Sequence, residues 1–571
     1  MKLSATHIIL TQGEPLQRRC HMSPHSAAKM CAFATAEHGN MSIFGVMMGA
    51  LMIAFGGFAV DMMRYEAVRA ELMNTLDRAA LASASFSQDL VPEDVVEDYF
   101  AKAGLSDQLV NVITTQGLNF RRVDAFAEAD TKPFFLNMVG LDNLHVSANS
   151  AAEQRITNVE VMLVLDVSGS MNTGGKIEAL RVAARDFVDT VLQNDVDDKI
   201  SIGIVPFNGQ VNLGLTLRNK FNATHQNTAA DVNCVDLPAS VYTTTGISLS
   251  TGLPMTADVD TFSGTDTGGG YSTSNRSPSN ANKWCPPQPT NVVRLPGQDI
   301  ATLQGHITGL TAIGATSINA GMKWGLTLLD PGMRTTYNEF ILASAMPAAL
   351  TTRPFEYEDE EAMKVIILMT DGEHFAEERL VDAYKAGTSP IWSSAADGNR
   401  SIFHSGLVNN ASAANICNSR PFWVPHLGRF HSRAWNGTAP VSTACYVANA
   451  VTSGTTAMSW QAVWDAMRLT YVVQQFYVRG LGGSYWTYMD MFRTKTPTAT
   501  MDTQLQTICG LAKAQNVIVY GIAFQAPSSG QTQIQGCATS MSYYYEAESN
   551  ENLKTAFKTI ANNISQLRLV Q

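Results

Sequence analysis

Three small oxygen-bearing side chains follow a run of large apolar residues in the segment VMLVLDVSGSMNTGGKIEAL, residues 161–180. They are Asp166, Ser168 and Ser170. The apolar run predicts a buried strand that ends at Asp166, and in open parallel sheets ligands gather beyond the carboxyl ends of the strands. The residue types allow three roles, which are metal ligand, nucleophile and cap of the helix that follows.

A second carboxylate, Asp371, ends the apolar run KVIILMTD, residues 364–371. Between the two strands, Thr316 stands in GATSINAGMKWGL just before a predicted helix, where an N-cap is an alternative role for it. Together with the two serines these side chains offer five oxygen ligands but at most two negative charges. Such a set suits a hard divalent cation that keeps some of its waters, which favours Mg²⁺ (or Mn²⁺) over the carboxylate-rich cage of a Ca²⁺ site.

The segments DVSGS, GATSINAGMKWGL and VIILMTDG resemble the von Willebrand factor A domain with its metal-ion-dependent adhesion site. The signature of that site is DxSxS, a distant Thr and an Asp on a later strand. The resemblance implies that Asp166, Ser168, Ser170, Thr316 and Asp371 form the metal site. It also implies that the hydroxyls touch the metal, that the aspartates act largely through waters, and that a carboxylate of a protein partner completes the shell.

The elements that would position this site lie in residues 158–571. Short apolar runs at 159–166, 199–207, 364–371 and 516–524 alternate with amphipathic helices. This pattern predicts an α/β fold of the von Willebrand factor A type, doubly wound, with a mostly parallel sheet and helices on both faces.

Two long insertions are expected to interrupt the sheet, at about 208–297 and 375–500. The first is polar and rich in Gly, Ser, Asn and Pro, which is typical of a surface insertion. The second carries six tryptophans around a predicted helical core at 459–478. We expect these tryptophans to pack in a core, and a glycan-binding face is the alternative.

Residues 41–60 contain no charged side chain and are long enough to cross a bilayer, so they predict a transmembrane helix. A cleaved secretory signal is the alternative, although its apolar core would be shorter. Basic residues outnumber acidic ones in residues 1–40, which predicts a cytoplasmic N-terminal segment and an outward-facing bulk.

The helical pattern continues through residues 61–90, which are either a stalk, about 70 Å long together with the span, or a helix packed on the next domain. Residues 91–157 pair a short helix with period-two stretches and predict a small α+β unit.

The segment GNMSIFGVMMGALMIAFGGFAVDMMRYEAVRAELMNTLDRAALA resembles the amino-terminal part of TadG-like proteins of the Tad (tight-adherence, Flp-type) pilus-assembly family. In that family a D-x-x-R helix, here Asp61 and Arg64, follows the membrane segment. The closing CATSMSYYYEAESNENLKTAFKTIANNISQLRL resembles the tail of the same proteins. The resemblance implies a single-pass protein of the bacterial inner membrane, with its bulk in the periplasm or outside the cell.

Six of the eight cysteines lie on the outward side, where an oxidising environment favours disulfides. Six cysteines allow fifteen pairings, of which we expect neighbour pairing, and buried free thiols are the alternative. The expected pairs are Cys234 with Cys285, Cys417 with Cys445, and Cys509 with Cys537.

Composition narrows the function classes. The formal net charge of −11 argues against nucleic acid as a partner. We expect that the protein is not an enzyme. We expect instead a membrane-anchored adhesion or assembly protein that binds an acidic side chain of a pilus component, an envelope protein or a host surface. A structural envelope spacer with a metal-free A domain is the first alternative. A metal-dependent hydrolase is the second, and it lacks a recognisable base.

Overall fold

The computed structural model describes residues 38–85, 88, 90–116, 120–155, 158–193, 195, 198–224, 231–263, 273–408, 420–438 and 454–565. These residues divide into two compact units. The first contains the described residues up to Glu153, apart from the short segment Gln116–Arg121. The second contains that segment and the chain from Gln154 onward.

The first unit packs two helices on a three-stranded sheet of order β1-β2-β3. Its elements are α1 (His38–Ala84), α2 (Pro92–Ala103), β1 (Leu109–Gln116), β2 (Phe120–Thr131) and β3 (Leu144–Arg155). The sequence pattern predicted α2, β2 and β3 but not β1, whose side chains are mostly exposed and therefore carry little hydrophobic signal.

The two halves of helix α1 differ in how far their side chains are buried. Met41–Ala84 is long and apolar enough to cross a membrane; its most apolar stretch has a mean hydropathy of 2.2, and 6% of that stretch is buried. In the second half, Leu72 and Leu76 are buried against Phe100 of α2 and Val123 of β2. The later turns of α1 therefore belong to the core of the first unit.

The second unit contains fifteen strands among its described residues. They are β4 (Asn158–Asp166), β5 (Ile200–Phe207), β6 (Ala223–Thr224), β7 (Leu253–Pro254), β8 (Arg294–Gly297), β9 (Ala362–Thr370), β10 (Glu377–Leu380), β11 (Thr388–Ser394), β12 (Arg400–Phe403), β13 (Phe422–Val424), β14 (Arg429–His431), β15 (Thr455–Ser459), β16 (Arg493–Thr496), β17 (Ile518–Phe524) and β18 (Tyr544–Ala547). The helices are α3 (Lys176–Leu192), α4 (Gly214–Arg218), α5 (Ile300–Thr308), α6 (Ile318–Leu329), α7 (Arg334–Leu342), α8 (Trp460–Ala466), α9 (Leu469–Val472), α10 (Arg479–Leu481), α11 (Tyr485–Phe492), α12 (Thr498–Ala514), α13 (Ser528–Cys537) and α14 (Asn550–Ser565).

A six-stranded sheet of order β18-β17-β9-β4-β5-β8 forms the centre of this unit. Its strands are parallel except for the edge strand β8, which runs antiparallel to β5. Alternate residues of β4 face opposite sides: Met162 and Val164 join the core under α6 and α12, whereas Leu163 and Leu165 join the core under α3 and α14. Helices thus cover both faces, which explains why these strands are continuous apolar runs.

The first expected insertion, 208–297, is more than a surface loop. Its described residues include Leu237, Tyr242 and Met255, which are buried in the core under α6. Its last residues form β8 of the central sheet. A disulfide joins Cys234 to Cys285, with their Cα atoms 6.0 Å apart.

The second expected insertion, 375–500, folds around its own core and contains a sheet that the sequence did not predict. Strands β10 and β16 pair at its two ends, and an antiparallel sheet of order β14-β13-β12-β11-β15 lies between them. The predicted helical core is divided into α8, α9 and a π-helical turn, Val473–Val478. Trp460 and Trp464 are buried and stacked, with ring centroids 5.3 Å apart.

A second disulfide joins Cys509 of α12 to Cys537 of α13, with Cα atoms 5.0 Å apart. Two of the three expected disulfides are therefore present. The third expected pair, Cys417 and Cys445, lies outside the described residues.

Candidate functional site

The two strand-end carboxylates belong to neighbouring strands. Asp166 is the last residue of β4, and Asp371 directly follows β9. Strand order reverses between these two strands, because β5 and β8 continue on one side and β17 and β18 on the other. This is the switch point at which ligands bind in open parallel sheets.

Hydrogen bonds join the residues of the D-x-S-x-S segment to the second aspartate. The Ser168 backbone N–H donates to Asp166 Oδ1 at 2.7 Å, and the hydroxyls of Ser168 and Ser170 are 2.9 Å apart. The Ser170 hydroxyl donates to Asp371 Oδ1 at 2.6 Å. The four residues therefore form one continuous polar cluster in spite of their distance along the sequence.

Thr316 lies at the same carboxyl edge of the sheet. Asp166, Ser168, Ser170, Thr316 and Asp371 are together called the rim. A Cβ placed on Gly372 would lie 3.9 Å from Thr316 Oγ1 and 4.0 Å from Ser170 Oγ, so both hydroxyls converge in front of Gly372. The N-cap of α6 is Ser317 rather than Thr316. The alternative role of Thr316 as a cap is therefore not what the structure shows, and its hydroxyl bonds to no residue that the structure describes.

Backbone hydrogen bonds hold the three loops of the rim together. The Gly169 N–H donates to the Gly314 carbonyl at 2.8 Å, and the Phe375 N–H donates to the Thr316 carbonyl at 2.9 Å. A Cβ on Gly169 would lie 3.2 Å from the Gly314 oxygen, so a larger residue there would push the two loops apart by a few tenths of an ångström.

Two residues that no sequence pattern indicated also contact the aspartates. Lys176, the first residue of α3, places Nζ 2.9 Å from Asp371 Oδ2. The Thr370 hydroxyl donates to Asp166 Oδ2 at 2.5 Å. Lys176 lies within residues 161–180, but its direction depends on the left-handed turn at Gly174 and Gly175 (φ 61° and 70°) that precedes α3.

Burial, and then the charge of Asp371, raise the pKa of Asp166 to about 7. Two carboxylates at a buried rim repel each other, and nearby positive charge relieves that repulsion. The donor set fits a hard cation, since it combines two carboxylates with three hydroxyls and contains no soft ligand. Among the described residues no group of three or more His, Cys, Asp or Glu side chains is placed to hold a metal.

His374 lies near the rim and supports its loops. Its Nε2 accepts a hydrogen bond from the Asn319 backbone N–H at 3.0 Å, and its Nδ1 lies 2.7 Å from Asp502 Oδ1. These partners require the tautomer that carries the proton on Nδ1. The histidine thus links the loop after β9 to α6 and α12, and both of its nitrogens are engaged.

A doubly wound, mostly parallel sheet with D-x-S-x-S side chains at its switch point is the architecture of the von Willebrand factor A domain, and the second unit has this fold. The N-terminal segment adds a different signature. Residues 39–85 match the model of the family described as putative Flp pilus-assembly TadE/G-like. This match and the exposed apolar helix indicate that the protein is anchored in a membrane.

Similar solved structures include pilus proteins. The pilus adhesin SpaC from Lactobacillus rhamnosus GG is 11% identical over 80% of this chain and 33% of its own, with a TM-score of 0.28. The vWF domain of the type V pili tip protein Mfa5 from Porphyromonas gingivalis is 12% identical over 72% of this chain and 95% of its own, with a TM-score of 0.29. The chain thus covers about a third of SpaC.

A third similar structure, proximal thread matrix protein 1 from the mussel byssus, has a zinc-occupied MIDAS motif. It is 11% identical over 71% of this chain and 45% of its own, with a TM-score of 0.25. No curated protein matches the chain.

Proposed function

We propose that the protein is a membrane-anchored adhesion or assembly component of a Tad pilus system that grips a carboxylate of a protein partner through a bound divalent cation. The cation is Mg²⁺ or Mn²⁺. Ser168, Ser170 and Thr316 contact it directly, and Asp166 and Asp371 hold it largely through waters. The observation that carries the proposal is the convergence of these side chains at the switch point of the sheet.

The charge of the site explains why a partner carboxylate would bind. A dedicated cage neutralises its cation with several carboxylates, whereas this rim offers two, one of which already pairs with Lys176. A divalent ion held there keeps net positive charge, and it can accept a further anionic oxygen ligand. An exposed Asp or Glu of another protein meets that requirement.

Lys176 would compete with a bound cation for Asp371. Its ammonium pairs with the same carboxylate that would face the cation, and its side chain is 13% exposed while that of Asp371 is 0% exposed. A divalent ion near Asp371 would repel the ammonium at short range. Metal binding and the Lys176–Asp371 pair therefore oppose each other, and Lys176 can leave toward solvent.

Residues 41–60 cross the bacterial inner membrane once, with residues 1–40 in the cytoplasm and the bulk of the chain in the periplasm or outside the cell. The excess of basic residues in the N-terminal segment supports this orientation. The partner would accordingly be a pilus or envelope component, or a host surface. The Tad match at residues 39–85 favours the pilus system.

Calorimetric titration of Mg²⁺ and Mn²⁺ into the full chain in nanodiscs tests the metal site. We expect saturable binding to the wild type and at least about a tenfold loss of affinity in the Ser168→Ala/Ser170→Ala variant, since about 1.4 kcal/mol corresponds to a factor of ten. The matched control is Ser540→Ala/Ser542→Ala, because those exposed hydroxyls are also two residues apart and lie 2.7 Å from each other.

Capture of purified pilus fibres by the immobilised chain tests the partner. We expect capture in Mg²⁺, release by a chelator, and loss of capture in Asp166→Ala and Asp371→Ala variants that remain folded. Capture that is unaffected by the chelator and by both variants would favour the spacer with a metal-free A domain. Absence of saturable metal binding to the folded wild type would overturn the metal site itself.

A further inference from the structure

The loop between β2 and β3 exposes an unusual amount of apolar surface. Phe134 is 67% exposed, Met138 85%, Val139 80% and Leu141 49%. Contiguous exposed apolar residues on a folded unit mark a contact with a membrane or another protein. These side chains follow one another in residues 133–141, PFFLNMVGL, which include a short 3₁₀ helix, Leu136–Val139.

A buried carboxylate fixes this loop to α1. Asp61, which is 1% exposed, accepts hydrogen bonds from the backbone N–H groups of Phe134, Phe135 and Leu136 at 2.8, 2.9 and 2.8 Å. A carboxylate with three main-chain donors is held rigidly, because hydrogen bonds to a charged acceptor are the stronger ones. The start of the 3₁₀ helix is therefore fixed to one turn of α1.

Two further contacts define the height of the loop along α1. A Cβ on Gly57 would lie 2.4 Å from Phe135 Cγ, so the Phe135 ring packs directly on the helix backbone there. The Arg64 guanidinium lies 4.1 Å from the centroid of the Phe134 ring and donates to the Lys132 carbonyl at 3.3 Å. Asp61 and Arg64 are the D-x-x-R pair of the Tad-like segment. Their contacts with residues 132–136, called the clamp below, give that pair a structural role.

These contacts place the loop beside the end of the apolar span. Gly57 lies within residues 41–60, about 4.5 Å before Val60 at 1.5 Å per residue. We propose that residues 133–141 form a second membrane contact, whose Phe134, Met138 and Val139 side chains enter the lipid interface on the outward side of the bilayer. The inference rests on the membrane anchoring in the proposed function.

Lipid is the occupant that the surroundings favour. The apolar surface of the loop continues the exposed apolar surface of the span, in which Ile53 and Phe55 are 67% and 71% exposed. Arg64 and Lys132 stand next to the loop, where basic side chains reach the phosphate groups of a bilayer interface. Aromatic and aliphatic side chains combined with basic neighbours are typical of interfacial membrane contacts.

Site-specific photo-crosslinking of the full chain tests the inference. The amino acid p-benzoyl-phenylalanine replaces Ile53, Met138 or Leu81 in separate chains, each in vesicles of phosphatidylethanolamine and phosphatidylglycerol. Leu81 is the matched control, because it is 68% exposed on the same helix but about 30 Å beyond Val60 along the helix axis. Mass spectrometry then measures the fraction of chain that carries a lipid adduct.

We expect lipid adducts at positions 53 and 138, each at least about fivefold above position 81, since only the first two would lie at or below the headgroups. Adducts at position 53 but not at 138 would overturn the loop contact alone. An absence of adducts at position 53 would overturn the membrane span and the inference with it. Protein adducts in place of lipid adducts at position 138 would show that another chain covers the loop.

The clamp itself is tested with Asp61→Ala in the chain that carries the crosslinker at position 138. Without the carboxylate the loop loses its three-fold attachment, so we expect the adduct fraction at position 138 to fall at least about twofold while that at position 53 stays unchanged. An unchanged fraction at position 138 would show that Asp61 does not set the depth of the loop.

Discussion

The two ends of the β4–β9 strand pair use charge in opposite ways. At the amino ends, Glu160 and Lys364 are register partners and form an ion pair with a 2.5 Å separation, each side chain being 4% exposed. At the carboxyl ends stand two acidic side chains, Asp166 and Asp371. Their partners are hydroxyls, one lysine and, for Asp166, the Ser168 backbone N–H. The same two strands therefore carry an acid paired with a lysine at one end and two neighbouring acids at the other.

The donors around the two pairs differ as well. Lys364 also donates to the Leu329 carbonyl at 2.9 Å, and Glu160 also accepts from the Phe355 N–H at 3.2 Å. Backbone groups bind both members of the amino-end pair, whereas the partners of Asp371, a serine hydroxyl and a lysine, can rotate away from it. The amino end is therefore built for stability, and the carboxyl end is suited to exchange its partners for a ligand.

The largest expected effect on stability comes from breaking the Glu160–Lys364 ion pair. Lys364→Met leaves Glu160 buried without its counter-charge, which should lower the free energy of unfolding by about 3–5 kcal/mol. Urea denaturation of the full chain, followed by far-UV circular dichroism, measures this loss with Mg²⁺ and with a chelator. We expect the same loss in both, because the ion pair lies at the other end of the strands from the proposed metal site.

Lys176→Met is the matched comparison at the carboxyl end. This substitution should lower the free energy of unfolding by less than Lys364→Met does, since Lys176 is partly exposed and Asp166 can take up a proton near neutral pH. Mg²⁺ should restore the lost stability, because the metal then supplies the positive charge. Equal losses in the two variants, with no rescue by Mg²⁺, would contradict the distinction between the two ends.

A smaller loss is expected where α13 packs on the rim. A Cβ on Gly530 would lie 2.2 Å from the Gly372 carbonyl oxygen, so Gly530→Ala must displace the loop that carries Asp371. We expect a loss of about 1–3 kcal/mol, as for overpacked cores, and a weaker affinity for Mg²⁺ by calorimetry.

Gly510→Ala on the neighbouring helix α12 is the control, since a Cβ at Gly510 meets nothing within 4 Å. It should change stability by at most about 1 kcal/mol, and in the stabilising direction. A normal Mg²⁺ affinity in Gly530→Ala would show that the loop after β9 tolerates displacement, and the rim would then be less closely packed than its contacts indicate.

The sequence predicted the residues of the rim because strand ends are visible as the last letters of an apolar run. The runs ending at Asp166 and Asp371 could be recognised, and parallel pairing then placed both at one edge. The sequence could not show that Lys176 turns toward Asp371 or that Gly530 of α13 touches Gly372. Those contacts depend on a left-handed turn and on helix packing, neither of which has a periodic signal.

The elements of the fold, like the residues of the site, were predictable only in part. The four buried strands and the helices between them followed from apolar periodicity, whereas the edge strand β8 did not, because it is short and contains Pro296 and Gly297. The five-stranded sheet of residues 388–459 was also missed, since its strands of three to seven residues lie between loops and carry few alternating apolar positions. Short antiparallel strands depend on their partners more than on their own sequence.

The smallest expected effect concerns the charge at the carboxyl end in the absence of metal. Burial and Asp371 raise the pKa of Asp166 from 3.8 to about 7, so the folded chain holds a proton that the unfolded chain has released. The stability contributed by this proton is present at low pH and is lost as pH rises through 7, by roughly 1.4 kcal/mol between pH 6 and 8. Urea denaturation with a chelator at both pH values measures the decline, and Asp166→Asn should remove it. A decline of the same size in Asp166→Asn would assign it to other groups and weaken the contrast between the two ends of the strands.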